Sequence, residues 1–160
     1  MLASVSGFAS LSASPTSSRE NLLTLTQSSS GVTRRSRRLV VGYVSPDMYT
    51  HSVSYFAAAP LRHHDAARVR LIVYSATPVE DARTHALRAS VAQNGGEWRD
   101  VARLSERALA ELIRRDGVDV LVELTGHAAN NRLATLALRP APVQVTWMGY
   151  PNSTGMAGAV

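Results

Sequence analysis

Ser105-Glu-Arg-Ala-Leu-Ala-Glu-Leu-Ile-Arg-Arg-Asp-Gly-Val-Asp-Val-Leu-Val-Glu-Leu124 reads as a helix, a turn and a strand in direct succession, and this unit decides the fold. Ser105 offers a side-chain oxygen to the first turn of a helix over Glu106 to Asp116. Leu104, Ala108, Leu109, Leu112 and Ile113 recur on one face of it, and Gly117 suits the position just past its end, where a left-handed backbone is needed. Val118 to Leu124 is then a strand. Working outward, Leu39 to Val44 reads as a buried strand that Ser45-Pro-Asp47 breaks, and Ser52 to Ala59 forms a short helix ended by Pro60. Val69 to Ser75 is a second strand, followed by helical sequence from Asp81 to Gln93 and the turn Asn94-Gly95-Gly96. Downstream, a helix over Leu133 to Leu138 stops at Arg139-Pro-Ala-Pro142, and Val143 to Met148 supplies another strand. The order β-α-β-α-(β)-α-β-α-β predicts an α/β fold, a Rossmann-like parallel sheet with helices on both faces.

Composition removes several chemistries. The 160 residues include 17 Arg, no Lys and no Cys, so a disulfide framework, a thiol nucleophile, a Schiff base and a P-loop lysine are all excluded. The net charge of +5 resolves into +4 over residues 1–38 and +1 over the rest. The near-neutral folded part lacks the clustered positive charge that nucleic-acid binding requires. Residues 1–37, rich in Ser and Arg and nearly free of acid, read as a disordered linker or a transit-like leader ahead of a folded unit over 38–160. No run approaches the roughly 18 consecutive apolar residues of a membrane span.

Parallel sheets place their ligands beyond the carboxyl ends of the strands, so the loops of interest are Ser45 to Ser54, Thr125 to Asn131 and Gly149 to Gly155. The first lacks the G-x-G-x-x-G pattern, which disfavours an NAD site. His51 lies at a helix start, where it serves equally as a cap or as a functional group. His127 follows a buried strand and Gly126, and is trailed by Asn130 and Asn131; this loop carries the stronger functional signal. His63-His64-Asp65 reads as a solvated turn and not a metal site, since adjacent histidines diverge and no third ligand is spaced to join them. Asn152-Ser-Thr154 reads as a polar turn, and Asp116 as a local turn former.

Four segments together carry a resemblance: Val41-Gly-Tyr-Val-Ser-Pro-Asp-Met-Tyr-Thr-His-Ser-Val-Ser-Tyr-Phe56, Ala59-Pro-Leu-Arg-His-His-Asp65, Leu121-Val-Glu-Leu-Thr-Gly-His-Ala-Ala-Asn-Asn131 and Leu138-Arg-Pro-Ala-Pro-Val-Gln-Val-Thr-Trp-Met-Gly-Tyr-Pro-Asn-Ser-Thr-Gly155. They resemble the SPINDLY-type branch of the nucleocytoplasmic O-GlcNAc transferase-like glycosyltransferases, over about Arg38 to Met156. The resemblance implies the N-terminal lobe of a two-lobed GT-B enzyme, with a second catalytic lobe and tetratricopeptide repeats elsewhere in the full-length protein. It implies transfer of fucose from GDP-fucose, or alternatively of GlcNAc from UDP-GlcNAc, to Ser or Thr hydroxyls of nuclear and cytosolic proteins. No cofactor, metal or membrane is implied. His51 matches a family histidine that acts as base or positioning residue. Thr125, Gly126, His127, Tyr150, Pro151 and Thr154 fall on loops facing sugar and acceptor. A chain with one lobe is expected to be inactive alone, and a non-catalytic polypeptide-binding remnant is the other reading.

Overall fold

The computed structural model describes residues 37–160. The expected disordered or transit-like tail, Arg37 excepted, lies outside the described residues. Nine elements follow in chain order: β1 Leu39–Ser45, α1 Ser52–His63, β2 Val69–Ser75, α2 Ala82–Gln93, β3 Glu97–Asp100, α3 Glu106–Asp116, β4 Val120–Glu123, α4 Leu133–Ala137 and β5 Val143–Thr146. The strands form one sheet in the order β3-β2-β1-β4-β5, and every pairing is parallel. The expected α/β class and parallel sheet are both observed.

Alternation along each inner strand divides the core. Val40 and Val44 of β1, Ile72 and Tyr74 of β2 and Leu121 of β4 pack with Leu109, Ile113 and Leu136 from α3 and α4. Val41, Tyr43, Leu71, Val73 and Val122 point the other way, onto Val53, Ala57 and Leu61 of α1 and Leu87 and Val91 of α2. Helices therefore cover both faces, which explains why these strands are apolar at nearly every position. β5, with Val143 and Val145 exposed, is an edge of the sheet among the described residues.

Most boundaries agree with the sequence reading to within two residues, and two differences are physical. Pro60 does not end α1, which runs on to His63. The backbone bond lost at Pro60 would have reached Phe56, which is 59% exposed, so its carbonyl is on the solvent side, while Leu61 is fully buried and anchors the last turn. His64 is no freely solvated turn residue: its ring nitrogen Nε2 lies 3.1 Å from the Tyr43 hydroxyl and its carbonyl accepts from Asn94 Nδ2 at 2.8 Å. Burial lowers its pKa.

Candidate functional site

The strand order reverses direction between β1 and β4, so the loops leaving these two strands part company and open a crevice between them. Ser45 ends β1, Thr125 follows β4, and their hydroxyls meet across this point at 3.5 Å, both buried. Ser45 Oγ also accepts from the Asp47 N–H at 3.0 Å, which turns the chain sharply out of β1. Met48 N–H then donates to Thr77 Oγ1 at 3.1 Å and Thr50 N–H to Asp81 at 2.8 Å. The loop after β1 is thus pinned to the loop after β2 before α1 begins. Asp81 also caps α2, and the hydrogen bonds from Thr50 and Thr84 hold its carboxyl well below the usual carboxylate range.

His51 is the N-cap of α1. Its backbone is extended, its ring Nδ1 accepts the Val53 N–H at 3.3 Å, and its ring lies 5.6 Å from that of Tyr49. Burial pushes the Asp47 carboxyl up while nearby His51 pulls it down. The cap explanation for His51 is therefore correct, yet it accounts for one ring nitrogen only. No hydrogen-bond partner reaches Nε2 among the described residues.

Thr125, Gly126, His127, Tyr150 and Thr154 form one cluster. His127 Nε2 lies 2.7 Å from the Thr154 carbonyl, and the His127 and Tyr150 rings meet edge to face at 5.5 Å. Gly126 has φ +56°, and a Cβ there would stand 2.2 Å from Tyr150 Cβ. Gly149 is tighter still, with a Cβ placed 1.4 Å from the Leu124 carbonyl oxygen. Only glycine permits these two loops to touch, and the contact fixes His127 at the rim, where its ring is exposed. Pro151 is exposed next to Tyr150, and His51 shares no hydrogen bond with this cluster among the described residues. Five of the six expected loop residues thus meet in one cluster and Pro151 follows Tyr150 at its exposed side, while His51 stands on the neighbouring loop.

The sequence reading missed Glu123. Its carboxylate is 1% exposed and accepts the Thr125 N–H at 2.5 Å, the Gly126 N–H at 2.8 and 3.0 Å, and the Thr146 hydroxyl at 3.0 Å. Three donors compensate a charge that burial would otherwise penalise heavily. Glu123 ties the ends of β4 and β5 to the turn that bears His127. The signal was present: a single acid in the apolar run Val120-Leu-Val-Glu-Leu124 must be buried, and a buried acid requires donors.

A polar cavity of about 430 Å³ lies on the same edge between the loops after β2, β3 and β4, lined by residues that include Arg103, Asn130, Asn131 and Arg132. Arg132 is committed to structure there, donating to Glu106 and to the Val101, Ala102 and Leu104 carbonyls. Among the described residues no group of three or more His, Asp or Glu side chains could hold a metal ion. No helix among them is long and apolar enough to cross a membrane.

Against known proteins, the profile of Glycosyl transferase family 41 matches residues 23–159. Over 120 residues the chain is 54% identical to the probable UDP-N-acetylglucosamine--peptide N-acetylglucosaminyltransferase SPINDLY of Arabidopsis thaliana, covering 75% of this chain and 13% of that protein. It is 33% identical to the UDP-N-acetylglucosamine--peptide N-acetylglucosaminyltransferase of Caenorhabditis elegans, over 74% of this chain and 10% of that one. A solved structure of a K341M mutant O-GlcNAc transferase from Thermobaculum terrenum superposes with a TM-score of 0.70 at 45% identity, over 76% of this chain and 22% of its own. The chain spans about an eighth of the length of the SPINDLY relatives it matches. With the family profile covering most of its length, the chain belongs to glycosyl transferase family 41.

Proposed function

We propose that residues 38–160 form the N-terminal lobe of a GT-B protein O-glycosyltransferase and supply the acceptor and sugar side of its cleft. The observation that carries this reading is the pair of built loops at the β1/β4 reversal: each ends in an imidazole at the carboxyl edge of a parallel sheet, where such sheets bind ligands. Transfer with inversion requires a Ser or Thr hydroxyl to be aimed at the anomeric carbon, its proton to be removed, and negative charge on the departing diphosphate to be stabilised. His51 and the Thr125 to His127 turn contribute aim and hydrogen bonding on the acceptor side. Tyr150, Pro151 and Thr154 wall the same cleft. Charge on the diphosphate falls to the second lobe of the full-length enzyme.

The donor follows from the branch. Likeness to SPINDLY over the Thr50 to Phe56 and Gly126 to Asn131 segments supports fucose from GDP-fucose, whereas the names of the relatives support GlcNAc from UDP-GlcNAc. Protein acceptors in the nucleus and cytosol belong to the same reading. Incubating the full-length enzyme of the same gene with a Ser/Thr peptide and each donor, followed by mass spectrometry, tests it. We expect a mass gain of one deoxyhexose with GDP-fucose, and a His127→Ala enzyme reduced by about 10-fold or more through lost positioning. A gain of one N-acetylhexosamine from UDP-GlcNAc alone would reassign the donor, and no transfer from either would overturn the reading.

A further inference from the structure

We infer that the polar cavity between the loops after β2, β3 and β4 is a carboxylate site that takes an acidic side chain of the acceptor polypeptide, with Arg103 and Asn130 as its donors. The inference rests on the acceptor-side reading above and names an acceptor class within it. The cavity measures about 430 Å³ and both residues line it. Arg103 is exposed and forms no hydrogen bond or ion pair among the described residues. The acids on the flanking segments are already taken. Glu106 receives Arg132 at 2.7 Å, Asp100 receives Arg88 at 2.7 Å, and Arg88 also holds Glu80. Asp81 accepts the Thr50 and Thr84 N–H groups at 2.8 and 3.0 Å. A positive charge is therefore left over at the cavity, and the guanidinium fork that carries it matches a carboxylate.

The walls are held in place before any ligand arrives. Arg132 donates to the Val101, Ala102 and Leu104 carbonyls at 3.2, 3.0 and 3.0 Å, which pins the segment bearing Arg103 to the start of α4. Asn131 donates to the Ala128 carbonyl at 2.9 Å and accepts the Leu133 N–H at 3.2 Å, which closes the turn ahead of α4. Asn130 precedes it in a left-handed backbone, φ 59°, and its amide has no hydrogen-bond partner among the described residues. Asn accepts that conformation more readily than most residues, so a side-chain N–H donor is presented there at little strain. Ala76, Pro78 and Ala102 add only small side chains, which leaves the charge reachable. Asn130 also sets the site's distance from the chemistry. It lies three residues after His127 on one loop, and so at most about 11 Å from it. An extended polypeptide covers that span in about three residues. An acceptor whose Ser or Thr lies at the His127 turn thus brings a carboxylate to Arg103 when Asp or Glu stands within about three positions of the modified residue.

A set of peptide acceptors tests this in the full-length enzyme, with the nucleotide sugar that supports transfer. One Ser/Thr peptide carries Asp, Asn or Lys in turn at each position up to about three residues on either side of the target. The kcat/KM for each peptide and the KM for the donor are measured with the parent, Arg103→Ala and Arg103→Glu. With the parent, the best Asp peptide is expected to exceed its Asn counterpart about 5-fold, the worth of one part-exposed ion pair, and added salt shrinks the preference. Arg103→Ala erases it. Arg103→Glu turns it toward the Lys peptide, an inversion that misfolding cannot produce, and donor KM stays constant. Equal use of Asp and Asn peptides by the parent at every position, or an acidic preference that survives in Arg103→Glu, overturns the carboxylate site and leaves the acceptor-side reading in place. A donor KM raised by Arg103→Glu with the peptide preference unchanged gives the cavity to the donor's phosphates and overturns the inference as well. If the parent transfers sugar to no peptide, the acceptor-side reading fails and the inference fails with it.

Discussion

The two edges of this sheet are built from different chemistry. At the amino edge, a network of ion pairs ties the strand ends to the chain around them. Asp119 takes both Arg37 amines, at 2.5 and 2.7 Å, together with the Val40 N–H at 2.8 Å. Asp116 takes the Tyr74 hydroxyl at 2.7 Å and Arg99 at 3.1 Å, while Arg70 bridges Glu97 and the Asp116 carbonyl. Burial alone would raise the Asp116 carboxyl, but the Arg99 and Tyr74 hydrogen bonds outweigh it and hold it low. At the carboxyl edge the materials are backbone N–H groups, hydroxyls and imidazoles, with one buried carboxylate, Glu123, whose donors all come from that edge. Two imidazoles, the part-buried Asp47 carboxyl and the exposed Arg103 stand there without an ion-pair partner among the described residues. Perturbed or buried ionisable groups do not distinguish a functional edge from a structural one; Asp116 and Glu123 are both saturated, and only the second shapes the loops that face the crevice.

The comparison is broken most severely at Gly149. Gly149→Ala drives a methyl into the Leu124 carbonyl, so the Tyr150 loop must leave the end of β4. We expect a loss of about 3 kcal/mol or more in denaturant unfolding, with the His127 ring signals shifted to solvent-like positions. Unchanged stability would mean that the two loops do not touch in solution.

Glu123→Gln is next. One amide oxygen replaces a carboxylate that serves three donors, and the new NH₂ is aimed at donors. The expected cost is about 2 kcal/mol. Asp116→Asn provides the contrast: it is part-buried and water can replace its partners, so a loss of about 1 kcal/mol is expected. Equal losses at the two sites would erase the distinction between the edges.

The smallest effect is one of pH. Arg37, and after it the Val40 N–H, hold the Asp119 carboxyl at about 2, against about 3.9 for a free aspartate. Because the folded value is depressed, the stabilisation is complete above pH 4 and is lost as pH falls towards 2. Unfolding curves at pH 5, 4, 3 and 2 should converge for the parent chain and Asp119→Asn as the pH drops. Curves that stay parallel would remove Asp119 from the acid response.

Much of the fold is legible in the sequence. The α3 helix and its Gly117 exit were readable to the residue, since a cap at Ser105, an apolar face and a left-handed stop at Gly117 bracket the eleven residues of the helix. Pro60 misled because sequence assigns it a helix-ending role, whereas the burial of Leu61 decides whether the turn continues. Of the candidate site, His51 and the Thr125 to His127 turn could be placed on the correct edge, because strand-to-helix loops must lie there. Glu123 was hidden inside what reads as an apolar strand.

By itself the sequence determined the element order, the parallel sheet, the separation of a basic tail from a near-neutral folded part, and the resemblance to its family. These follow from local periodicity and from motifs continuous along the chain. Tertiary structure alone decided that Ser45 meets Thr125 across 80 positions of sequence, that Gly126 and Gly149 are glycines because two loops touch, and that His51 surrenders one nitrogen to a helix. Such facts depend on which side chains arrive at the same point in space. That is set when strands pair and close long loops, and no window of neighbouring residues contains it.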